Sequence, residues 1–98
     1  MFVHTVFFWL KKDLTEAQRE AFQAGANTLT DIQPSVAAYL GKPADTERPV
    51  IDNTYDFSLT CVFENKADHD AYQVDPVHLE FIDKHAKDWA RVVVYDAD

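Results

Sequence analysis

Nine residues near the N-terminus, Phe2 to Leu10, are nearly all β-branched or aromatic, with only His4 and Thr5 polar. Such a run reads as a strand that is apolar on both faces, with Phe2, Val6 and Phe8 on one side and Val3, Phe7 and Trp9 on the other. A layer of helices covers one face of a sheet only. The other would expose an apolar patch of several hundred Å² or more, which monomeric soluble proteins rarely carry. The segment Trp89 to Tyr95, WARVVVY, repeats the problem at the other end of the chain. Any fold for this sequence must therefore supply a second cover, and a second copy of the same face around a two-fold axis is the simplest one.

Between these strands the chain alternates elements. Lys11-Lys12-Asp13 breaks the first run, and Thr15 with Gln18 three residues on forms a capping box that opens a helix to about Thr30. Phe22, Gly25, Leu29 and Ile32 recur on one face of it, flanked by Ala21, Ala24 and Ala26. Pro34 ends this region, and Val36 to Gly41 reads as a weaker strand. Lys42 to Asn53 has two prolines and little periodicity and is expected to be an exposed loop. From Tyr55 to Glu64 the pattern alternates strictly, placing Tyr55, Phe57, Leu59, Cys61 and Phe63 on one face and Asp56, Ser58, Thr60, Val62 and Glu64 on the other. Asn65 caps a short helix, KADHDAYQ, and Asp75-Pro76 starts another, since Asp is a good N-cap and Pro suits the first helical position. The order is the α+β, ferredoxin-like βαββαβ arrangement, a four-stranded antiparallel sheet with helices on one face. Two such sheets meeting face to face would make a dimeric α/β barrel.

Size and charge narrow the function classes. The chain of 98 residues reads as one domain over residues 1–98, near the small end of what buries its own core. Its formal net charge is −8 and its nine lysines and arginines are scattered. No nucleic-acid or membrane partner is expected from that pattern, because phosphate binding needs concentrated positive charge. A single cysteine and an N-terminus without a signal-like pattern make the cytoplasm the expected location. No glycine-rich phosphate loop is present, so no cofactor is expected. No two histidines have the i,i+4 spacing of ligands on one helix turn, so no metal site is expected either.

The opening VHTVFF, followed by a charged break and LTEAQ, resembles the first strand and helix start of the stress-responsive dimeric α/β-barrel (Dabb) family. So does the second half, where YDFSL leads to Phe63-Glu64, then Tyr72, Asp75-Pro76-Val77-His78 and Phe81. The resemblance implies a homodimer and, by similarity to a polyketide cyclase in the family, an aldol-type chemistry. It assigns His78 as general base next to a carbonyl, Tyr72 as hydrogen-bond donor to a carbonyl or enolate oxygen, and His4 as a third candidate. A small hydrophobic ligand would be held among Val6, Phe8, Ala26, Phe57, Leu59, Phe81 and Trp89. At Ala26 the cyclase carries an aromatic residue, which implies a differently shaped cavity here. Fold analogy adds cofactor-free monooxygenases of aromatic quinols.

The residues themselves support the pair in part. His78 falls at about the third position of a helix capped by Asp75, where the positive end of the helix dipole favours a neutral imidazole able to accept a proton. Plainer readings stand beside these. Tyr72 reads equally as a half-buried aromatic whose hydroxyl reaches water, Asp75 as a cap, His78 as a histidine tying down its helix, and His4 as a satisfied core histidine. His69 and His85 sit among charged residues and read as solvated, and Cys61 reads as an inert buried thiol. A dimer that binds a ligand without turning it over fits the same sequence.

Overall fold

A computed structural model describes all 98 residues, in the order β1 (Phe2–Leu10), α1 (Glu16–Thr28), β2 (Ala37–Gly41), β3 (Phe57–Phe63), α2 (Lys66–Gln73), α3 (Pro76–His85) and β4 (Trp89–Ala97). Short 3₁₀ turns follow α1 and α3. Local chemistry sets most of these boundaries. Thr15 accepts from the Gln18 amide while the Gln18 side chain returns to the Thr15 amide, completing the capping box. Asn65 accepts from the Asp68 amide, and Asp75 accepts from the Val77 amide with Pro76 in the first turn.

The four strands form one antiparallel sheet in the order β2-β3-β1-β4. This is the ferredoxin-like fold. On the helix side of β1 lie Phe2, His4, Val6, Phe8 and Leu10, all buried, the first four in register with Phe63, Cys61, Leu59 and Phe57 of β3. Phe22, Ala26 and Leu29 from α1 and its following turn, Ile32 beyond it, Tyr72 from α2 and Phe81 from α3 close over them to complete the core. One cap on this packing is steric: a Cβ at Gly25 would fall on the His85 ring, 2.7 Å from its Cδ2 and closer still to Nε2. His85 cannot retreat easily, because its Nδ1 is held 3.1 Å from the buried Asp88 carboxylate. Gly25→Ala is therefore expected to lower stability by about 1–3 kcal/mol, measured by urea unfolding at unchanged m.

The opposite face of β1 carries Val3, Thr5, Phe7 and Trp9, and the helices leave it open. Phe7 lies edge-on between Tyr55 and Tyr95, with centroids 5.0 and 6.2 Å away, and the Arg91 guanidinium sits 4.5 Å over the Trp9 ring. Tyr95 and Tyr39 on this face are about two-thirds exposed, at 66% and 68%.

Two sequence expectations change. Strict alternation had put Tyr55 on the core face and Asp56 on the other, but β3 begins only at Phe57. Tyr55 instead packs on Phe7 and Trp9 of the open face. Asp56 turns to the helix side, where its carboxylate accepts from the Leu10 amide at 2.7 Å and pairs with Arg19. His69 and His85 are not solvated either. His69 is buried with the Phe2 ring stacked on it at 4.4 Å, and His85 fills the space that Gly25 leaves.

Candidate functional site

β4 is an edge strand that the helices only partly reach. Its helix-side residues Val92 and Val94 stay 40% and 46% exposed, and between them and α3 a cavity of about 200 Å³ opens. Val6, Phe8, Leu59, Phe81, Trp89 and the two valines give it mostly apolar walls. Its polar groups are His4, Tyr72, Gln73 and His78. The three candidate catalytic residues are thus brought to one cavity from β1, α2 and α3. Ala26 and Phe57 are not: both are buried in the core, away from it. Leu29, Gln73, Ile82, Val92 and Val94 line it without having been singled out. The valines were not distinguishable in the unbroken run Val92-Val93-Val94; their side of the sheet is set by pairing, Val94 with Val6 and Val92 with Phe8.

Tyr72 is fully buried, contrary to the expectation of a hydroxyl reaching water. The Cys61 thiol points at its oxygen, 3.8 Å away, which leaves the hydroxyl proton free to donate. Burial pushes the Tyr72 pKa well above its ordinary value, so the group is a donor at any physiological pH. Burial likewise raises the Cys61 thiol, which fits an inert thiol.

The His78 ring meets the Tyr72 ring edge-on with centroids 4.9 Å apart. His78 Nδ1 is buried and has no hydrogen-bond partner. Its pKa is lowered first by burial and then by the charge of His4, with the Asp75 carboxylate opposing. Neutrality therefore comes mainly from desolvation; the helix-end position inferred from the sequence is correct but is not the leading cause. His4 is tied differently, with Nδ1 2.6 Å from Asp96 Oδ1. Burial also lowers its pKa and outweighs the raising effect of Asp96. A neutral His4 donates its Nδ1 proton to that carboxylate, which leaves Nε2 as an acceptor.

A pH dependence follows. Both histidines bind protons less readily folded than unfolded, so their contribution to stability is present above the unfolded pKa near 6.5 and is lost as pH falls toward the folded values. The melting temperature should drop between pH 7.5 and 5.5, and drop less steeply in His78→Gln. A curve of unchanged steepness in that variant would contradict the assignment.

The model of the stress-responsive A/B barrel domain, Dabb, matches residues 2–98. The chain belongs to the Dabb family. Olivetolic acid cyclase of Cannabis sativa is 27% identical over 94 residues, covering 95% of this chain and 91% of the cyclase. A dimeric ferredoxin-like protein of Thermobifida fusca superposes with a TM-score of 0.78 at 20% identity, covering 98% of this chain and 88% of that one. Hydroxynitrile lyase of Passiflora edulis superposes with a TM-score of 0.77 at 23% identity, covering 98% of this chain and 90% of the lyase. No helix of this Dabb chain is long and apolar enough to cross a membrane.

Proposed function

We propose that this Dabb protein is a homodimer whose cavity catalyses proton transfer next to the carbonyl of a small hydrophobic compound, including aldol-type ring closure of a polyketide-like chain. The observation that carries the reading is the buried, unpartnered Nδ1 of a neutral His78, set in an apolar wall against the Tyr72 ring. A neutral imidazole in a water-poor site accepts a proton from carbon, and a Tyr72 hydroxyl that cannot ionise donates to the oxygen on which the enolate charge develops. His4, held by Asp96, offers a second acceptor at the same cavity. The chemistry needs only these side chains. At about 200 Å³ the cavity suits a compact substrate, or one end of a longer one.

The cyclase and the lyase among its relatives support an enzyme reading. A dimer that binds such a compound without turnover is the second reading, favoured by the apolar majority of the cavity wall. Mass spectrometry of small molecules released from freshly purified protein tests the cavity directly. A retained aromatic or acyl carbonyl compound, lost in His78→Ala at unchanged melting temperature, is the expected result. Retention unaffected by His78→Ala would remove this residue from the site, and loss of folding in that variant would make it structural.

A further inference from the structure

We propose that His4, His69 and Asp96 form a binding site for one divalent transition-metal ion of the zinc or cobalt kind. The three residues are far apart in sequence and come from β1, α2 and β4, yet one donor atom of each lies within 4.8 Å of the others. Spacing along one helix could not reveal such a set, because every ligand sits on a different element. Two imidazoles and a carboxylate are a donor set that these ions favour, and three protein ligands leave a coordination position open.

The surroundings prepare the ligands. Nδ1 of His69 lies 3.1 Å from Asp70 Oδ1, and the Gln73 amide nitrogen lies 3.1 Å from Nε2. The first contact takes a proton from the ring and the second offers one to it, so His69 is the tautomer with its lone pair on Nε2. A carboxylate behind a ligating histidine in this way fixes its orientation and strengthens it as a donor. An ion would take the place of the Gln73 amide. On the other side, the proton that now joins His4 Nδ1 to Asp96 Oδ1 at 2.6 Å is the one an ion between them would displace to solvent. The Phe2 ring stacks on His69 at 4.4 Å and the Phe63 ring meets it edge-on at 5.7 Å, giving an apolar shell.

Ligands of one tetrahedral ion sit roughly 3.4 Å apart at bonds of about 2.1 Å. The His4–Asp96 pair, at 2.6 Å, must open by somewhat under an ångström, and any pair near the 4.8 Å limit must close by somewhat more than one. His4 and His69 are buried, whereas Asp96 is exposed and free to move away from His4 to admit an ion. A net charge of −8 draws cations to the surface as a whole.

The test is calorimetric titration of the untagged full chain with Zn²⁺, with visible spectra of the Co²⁺-loaded protein as a second readout. Saturable binding of one ion per chain is expected, with the intense bands of low-coordinate Co²⁺. Affinity should fall more than about tenfold in His69→Gln and in Asp96→Asn, and should not change in Asp45→Asn, an exposed loop carboxylate. Because Asp96 is exposed, its variant keeps the test decisive even where His69→Gln disturbs folding. No saturable binding, binding retained in Asp96→Asn, or equal weakening by Asp45→Asn would overturn the site.

Discussion

Phe7→Glu is expected to convert the proposed homodimer into a folded monomer, seen in sedimentation velocity as a halving of mass at micromolar concentration. The reason lies in the open face of the sheet. Phe7, Trp9, Tyr55 and Tyr95 cluster there around Arg91, and aromatic residues with arginine are the side chains enriched in the buried centres of interfaces. A shallow hollow of about 150 Å³ between these rings gives a facing copy somewhere to insert. In a two-fold dimer each partner contributes the same substitution. Losing an aromatic anchor and burying a carboxylate in each partner, with Arg91 as the nearby cation, costs a few kcal/mol, so the dissociation constant should rise by about 10²-fold or more. The helix-side core is on the other face of β1 and stays intact, so circular dichroism should remain native. A dimer of unchanged affinity in Phe7→Glu would remove the second copy from this face.

The second large effect is chemical. Tyr72→Phe deletes one hydroxyl from a fully buried ring and leaves the packing with Phe63 and His78 in place. A donor aimed at a developing oxyanion is worth about 10²–10³ in kcat, and a positioned general base about 10²–10⁴. Tyr72→Phe should therefore lower kcat by about 10²-fold with little change in KM, while His78→Gln lowers it by 10²-fold or more. Asp96→Asn tests the third member separately. It leaves His4 in place but removes the carboxylate that orients it, so a smaller loss is expected than from either cavity residue. Equal activity in wild type, Tyr72→Phe and His78→Gln would leave the ligand-binding reading as the better one.

How far the sequence could be read depended on whether local or distant residues decide a position. The helix of Lys66–Gln73 was legible to its ends because Asn65 caps it through its own third neighbour. Phe22, Leu29 and Ile32 were legible because a helix stripe is a local pattern. Tyr55 and Asp56 were not, because the strand starts two residues later than the alternation does, and the pairing with β1 decides where. His69 was hidden by its charged neighbours Asp68 and Asp70, while its burial comes from Phe2, 67 positions away in the chain, stacking across the sheet end. Asp96 follows the last apolar run and was not singled out. Its place opposite His4 depends on the β1–β4 register, which no local signal encodes. The cavity residues Tyr72 and His78 were singled out through family resemblance, and their meeting at one apolar wall is a property of the fold.

The most direct measurement is deuterium uptake from D₂O into a small aryl methyl ketone, followed by mass spectrometry with and without the protein. Proton transfer by His78 predicts exchange at the carbon beside the carbonyl that rises in proportion to added protein and falls to background with His78→Gln. Exchange no faster than in buffer, or equally fast with the variant, would contradict it.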